Sequence, residues 1–216
     1  EIGMGALLHD IGMLLINNAI RTKKGKLTQA EWFEVQKHPI LGLHRLEKVK
    51  GLPVSIPFVA YQVHERENAI GYPKKRHSVL IHRFAKIAQL ADVYEAMTSP
   101  RSYRAPLAPY NAMAQIIKMA RAGLISGEYV KALLEYASLF PVGSMVQLSD
   151  GRIARVIQAN NASPAKPLLS VLTDPKGKLL SQGRVSQVDL HETTDVQVVK
   201  ALSSDFLKGI QVMDGF

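Results

Sequence analysis

Apolar residues recur at intervals of three and four through most of positions 1–140 and at intervals of two through much of 141–216, so the chain divides into a helical part and a β part. Glu1 to Leu8 already has the pattern of a helix interior with no Ser, Thr, Asp or Asn cap ahead of it, and a further helical segment is expected upstream. Gly12 suits the end of that helix, and Asn17 to Lys26 reads as a basic loop. Thr28 and Glu31 make a capping box, with Leu27 placed to staple onto Trp32. This helix should stop near His38, because the residue before Pro39 is driven out of the α region, and Pro39 then opens a helix to about Lys48. Ile56 to Glu65 reads as another apolar helix, and Arg66 to His77 as an irregular stretch with Gly71-Tyr72-Pro73 as a turn. The most periodic helix follows a cap at Ser78, with Ile81, Phe84, Ile87, Ala88 and Ala91 on one stripe, and stops at Thr98-Ser99-Pro100. Two more amphipathic helices are expected near Tyr110 to Ala122 and Gly127 to Leu139.

At Phe140-Pro141-Val142-Gly143 the period changes. Met145 to Leu148 and Ile153 to Ile157 flank Asp150-Gly151, a pair that tolerates the positive φ angles of a tight hairpin. Leu168 to Thr173, Val185 to Leu190 and Val196 to Ala201 read as further strands, with Asp174 to Gly177 as a turn. The expected fold class is mainly α, over residues 1–140, followed by a small all-β module over 141–216 that is marginal on its own.

Composition changes this picture in three ways. No run of eighteen apolar residues and no charged-then-apolar leader is present, so a soluble, cytoplasmic protein is expected. The chain has no cysteine, which excludes thiolate sites and leaves nitrogen and oxygen to hold any metal. A formal charge of +9 favours an anionic partner, whether a nucleotide, RNA or an acidic surface, although dispersed lysines are also simply solvating.

The candidate chemistry begins at Leu8-His9-Asp10-Ile11, an adjacent imidazole and carboxylate where core would be expected. Neighbours on a helix point about 100° apart, yet both side chains can reach one ion at a helix end, and a carboxylate can bridge two. Taken alone, the pair also fits a buried histidine beside a capping aspartate. His38, at the break between two helices, can turn inward to a site or sit in solvent. His64 lies near the end of its apolar helix. Asp92 continues the inward stripe four residues beyond Ala88, and a carboxylate there is costly unless paired or metal-bound. The basic cluster Lys74 to His77 could seat a phosphate, and Arg101 and Arg104 carry the planar forks that suit one. His191 has no visible partner.

Several blocks, in order, resemble the HD-GYP family, bacterial metal-dependent phosphohydrolases of the HD superfamily that cleave cyclic di-GMP. They are Leu7-Leu8-His9-Asp10-Ile11-Gly12, Gly25-Lys26-Leu27-Thr28 with Glu31-Trp32, His38-Pro39 with Gly42, His64-Glu65, Gly71-Tyr72-Pro73, and Ala91 to Ser99 with Arg101, Tyr103 and Arg104. The resemblance implies a helical bundle around two divalent metal ions, iron or manganese. By position, His9, Asp10 and Asp92 would hold one ion, and Asp10, the residue it marks as catalytic, would bridge to a second held by His38 and His64. Tyr72, Arg101 and Arg104 fall where family members touch the nucleotide. The implied ligand is cyclic di-GMP or a related cyclic dinucleotide, and a signalling partner, an upstream domain and a second copy of the chain are further partners.

The chain also departs from the family pattern. Met13 stands where the family has lysine, Val63 where it has the first histidine of His-His-Glu, and Asn68-Ala69 where it has Asp-Gly. Three functional readings follow: a cyclic di-GMP phosphodiesterase of reduced activity, a degenerate domain that binds the nucleotide or a protein without turnover, and a basic RNA-binding or scaffolding protein. The third lacks an aromatic stacking run in the β part.

Overall fold

The computed structural model describes residues 1–100, 105–160, 162–180 and 186–202. The chain forms two compact units, one of Glu1–Pro106 with Ile116–Val130 and the other of Leu107–Gln115 with Lys131–Phe216.

The first unit is helical. It contains α1 (Ile2–Leu8), a 3₁₀ turn (Ile11–Leu15), α2 (Asn18–Arg21), α3 (Gln29–Val35), α4 (His38–Leu46), α5 (Ser55–Gln62), a second 3₁₀ turn (Ser78–Leu80) and α6 (Arg83–Thr98). Two later helices, α7 (Pro109–Arg121) and α8 (Gly127–Ala137), each contribute residues to both units. Helix α5 is apolar nearly all round and is correspondingly central, with every residue but Phe58 buried. Val59, Val63 and Ala88 form a core cluster on which Ala6 and Phe84 pack, tying α1, α5 and α6 together. Gly5 makes that packing close, since a Cβ there would lie 2.6 Å from the Val59 Cβ.

Local signals predicted several boundaries well. Both halves of the capping box form: the Glu31 N–H donates to Thr28 Oγ1 at 3.3 Å, and the Thr28 N–H donates to the Glu31 carboxylate at 2.6 Å. Helix α3 ends at Val35 and α4 opens at His38-Pro39, with Pro39 in its first turn as expected, although His38 itself is helical rather than driven out of the α region.

Other expectations are corrected. Gly12 does not end a helix; it lies inside the first 3₁₀ turn, where a Cβ would stand 1.9 Å from the His38 carbonyl oxygen. Its lack of a side chain lets that turn lie directly on α4. Part of the basic loop is the short helix α2, capped by the Asn17 side chain accepting from the Ala19 N–H at 2.9 Å. Ser78 opens a 3₁₀ turn, and the cap of α6 is His82, whose Nδ1 accepts from the Phe84 N–H at 3.2 Å. The buried face of α6 is Ala85, Ala88, Gln89, Leu90 and Val93, while Ala91 is exposed. The face is rotated because the Gln89 amide is drawn inward to donate to the Val63 and Glu65 carbonyls.

In the second unit five strands, β1 (Met145–Leu148), β2 (Ile153–Gln158), β3 (Leu168–Val171), β4 (Gln187–Asp189) and β5 (Val198–Leu202), form an antiparallel sheet in the order β4-β3-β2-β1-β5. Its core is Phe140, Val146, Leu148, Ala154, Val156, Leu169, Val171 and Leu190, with Tyr110 of α7 stacked on Phe140 at 4.9 Å. The hairpin turn carries Gly151 at φ +90°, as the Asp-Gly pair predicts. The strand expected over Val185 to Leu190 is Gln187–Asp189, and its predicted start lies outside the described residues. Among the described residues no helix is long and apolar enough to cross a membrane.

Candidate metal centre

Five predicted ligands come from four places in the first unit: the end of α1, the start of α4, the residue just beyond the C-cap of α5, and α6. Donor atoms of His9, Asp10 and His64 lie within 4.8 Å of one another. His38 joins them, its Nε2 being 3.2 Å from Asp10 Oδ1 and 3.0 Å from His64 Nε2. Asp92 stands 3.7 Å from His9 Nε2 and 3.9 Å from His64 Nδ1. His38 is buried, which rules out the solvated alternative.

The orientation of two imidazoles is fixed by the helices that carry them. The last carbonyls of a helix have no partner within it. His9 Nδ1 lies 2.6 Å from the Ala6 carbonyl at the end of α1, and His38 Nδ1 lies 2.8 Å from the Val35 carbonyl at the end of α3. A carbonyl only accepts, so each Nδ1 carries a proton, and each ring turns its Nε2 toward Asp10. His38 and His64 therefore bring two ring nitrogens together at a distance that calls for a shared proton or a cation.

Electrostatics sharpen the arrangement. Burial opposes ionisation of Asp10, but its contacts with His38 and His64, together with His9, hold the carboxyl well below the usual carboxylate range. Burial pushes the His64 imidazole down, against the pull of Asp10, which favours the neutral ring that ligation needs. Three imidazoles and two carboxylates, with no thiolate, make a donor set that suits Fe, Mn or Zn. The residues present therefore fit a divalent metal.

Tyr72 stacks on His64 with ring centroids 4.9 Å apart. Burial and then the charge of Asp10 push its phenol well above the ordinary value, so it stays a neutral O–H donor. Arg101 and Arg104 lie outside the described residues. In the Lys74 to His77 cluster the backbone N–H groups of Lys74 and Arg76 donate to the Glu65 carboxylate at 2.8 Å each, and the Arg76 guanidinium lies over the Tyr61 ring. Glu65, fully buried, thus pins the loop that presents Tyr72. Arg66 was missed. Its Nη1 is buried without a hydrogen-bond partner among the described residues, in a group that senses Tyr72 and Asp92. Glu65 was marked in the sequence by the His64-Glu65 block, whereas no sequence signal marked Arg66.

Val63 is 1% exposed within the α1–α5–α6 core, so the position where the family pattern has a further histidine holds a packing side chain. Met13 is half-buried in the first 3₁₀ turn.

A family model described as HD domain matches residues 1–127. The chain belongs to the HD domain family. The HD-GYP resemblance read from the sequence is borne out, and a second model, described as KOW domain associated with HD domain, matches residues 145–209. A cyclic di-GMP phosphodiesterase of Pseudomonas aeruginosa is 31% identical over 196 residues, 88% of this chain and 47% of that protein. The cyclic di-GMP phosphodiesterase PdeB of Borreliella burgdorferi is 26% identical over 95% of this chain and 54% of its own length. A 3'3'-cGAMP-specific phosphodiesterase of Vibrio cholerae is 35% identical over 63% of this chain and 29% of its own length. The HD-domain chain spans about half the length of the first two relatives.

Proposed function

We propose that the HD domain is a metal-dependent phosphodiesterase that opens cyclic di-GMP or a related cyclic dinucleotide. The convergence of His9, Asp10, His38, His64 and Asp92, with two rings locked to present Nε2 to Asp10, is the observation that carries this reading. Names of the relatives supply the substrate class. In this reading His9, Asp10 and Asp92 would hold one divalent ion, iron or manganese, and Asp10, His38 and His64 would hold a second. Bound ions of this kind polarise a phosphodiester and activate water for in-line attack. The chain's own residues do the rest. Asp10, held ionised, orients the donor set, the neutral Tyr72 offers a proton to a phosphate oxygen, and the Arg66 guanidinium supplies positive charge near it. The resemblance assigns Arg101 and Arg104, outside the described residues, to the phosphates as well.

We read residues 1–140 as the hydrolase part and 141–216 as a separate β module, in a cytoplasmic signalling protein that works with an upstream domain or as a homodimer. Val63 favours one second reading. A valine committed to the core cannot ligate, and a weakened second ion suits a receptor that binds the nucleotide without turnover.

The test is hydrolysis of cyclic di-GMP by the purified protein with added manganese, alongside Asp10→Ala. Turnover lost in the variant supports the phosphodiesterase. Tight binding with no turnover in either protein supports the receptor, and neither binding nor turnover overturns both.

A further inference from the structure

A cavity of about 540 Å³ is lined by Gly25, Lys26, Leu27 and Trp32. That volume is within the range of small-molecule sites, about 300–1,000 Å³. It is joined to the candidate ligands by a continuous layer of rings. The Trp32 indole meets Tyr72 edge-on at 6.0 Å, and Tyr72 in turn stacks on His64 at 4.9 Å. A nucleotide with its phosphate at His64 and Tyr72 therefore has an aromatic wall within reach of its base.

Trp32 stands four residues after the Thr28 cap, the position from which a side chain can staple onto Leu27. A staple needs only an aliphatic side chain. Trp32 instead leaves 40% of its surface exposed, an unusual placement for the largest side chain in the protein. The floor is glycine at φ +115°, with no atom within 4 Å of the position a Cβ would take, so the space above Gly25 is open. Lys26, exposed, adds a positive charge to the lining.

We propose that this cavity is a purine-base subsite, in which one guanine of the cyclic dinucleotide lies against the Trp32 indole while its phosphodiester reaches the metal centre. The proposal rests on the cyclic-dinucleotide reading above. Stacking on an aromatic side chain suits it, because every base has a π-face and such contacts contribute strongly to nucleotide affinity.

Trp32 is the only tryptophan in the chain, so intrinsic fluorescence reports this one position. Titrating the whole protein with cyclic di-GMP or GMP should quench that emission to saturation, and ribose 5-phosphate, which has no base, should not. Two variants separate stacking from stapling. Trp32→Leu keeps an aliphatic staple and should weaken cyclic di-GMP binding about five- to a hundredfold by calorimetry, whereas Trp32→Phe should recover most of the affinity. Calorimetric binding of cyclic di-GMP without quenching, or equal affinity in the Leu and Phe variants, overturns the subsite while leaving the phosphodiesterase reading intact. Saturable quenching without hydrolysis would keep the subsite and remove the enzyme. Absence of nucleotide binding by either method overturns the subsite.

Discussion

Asp10 is the residue on which the arrangement turns, because it faces His9, His38 and His64 at once. Asp10→Ala removes a ligand from both proposed ions and should strip bound metal more completely than His38→Ala, as measured by metal analysis of the purified proteins. Equal retention would exclude the bridging role. Val63 makes a contrasting case. The family pattern suggests that Val63→His would restore a ligand, but at 1% exposure in the α1–α5–α6 cluster the larger polar ring has no room and no partner. The variant should lose roughly 2 kcal/mol or more of stability in urea denaturation, without gaining metal. Sequence could place His64 but not tell which way Val63 points. Neighbours on a helix diverge by about 100°, and α5 is apolar all round, so its phase is set only by what packs on it. Asp92 carried a signal of its own, since a carboxylate four residues beyond the buried Ala88 calls for a partner, even though the stripe read around it was rotated.

At the scale of elements, local rules explain α3 and long-range packing explains the first 3₁₀ turn. The Thr28 cap is a contact between residues three apart, legible in the sequence, and Thr28→Ala should cost about 1 kcal/mol in chemical denaturation. Its partner Glu31 is drawn down to about 2, first by the hydrogen bond from Lys23 and then by the Thr28 N–H. A carboxyl depressed on folding stabilises fully above its unfolded value of 4.5, and that contribution is lost as pH falls toward 2. In Lys23→Met the Glu31 carboxyl, followed by NMR, should titrate higher, toward 4.5. Gly12 could not be read in this way, because the carbonyl that demands a glycine belongs to His38 in another helix. Gly12→Ala must lift the turn off α4, which carries Asp10 away from His38. It should cost about 1–3 kcal/mol and weaken metal binding together. Stability loss with unaltered metal affinity would show that the turn does not set the site.

For the molecule as a whole, the change of hydrophobic period near Phe140 announced a helical part and a sheet. What it could not show is that residues 107–115 of α7 and 131–137 of α8 pack with the sheet unit, because both helices are amphipathic and look alike from either side. All five candidate ligands lie in the first unit, so a chain ending at residue 140 should hold as much metal as the full protein. It should also bind a dye that reports apolar surface, since Tyr110, Leu139 and Phe140 would lose the strands they pack against. Metal lost on truncation would show that the β module supports the site.

His9 and His38 each close the last turn of a helix with one ring nitrogen while offering the other to Asp10. Ligand capture and helix-end order are therefore two faces of one equilibrium, and each must shift the other by the same free energy. Metal-loaded protein should show slowed amide hydrogen exchange in the closing turns of α1 and α3. A variant that frays either turn from outside the site should lose metal affinity to match.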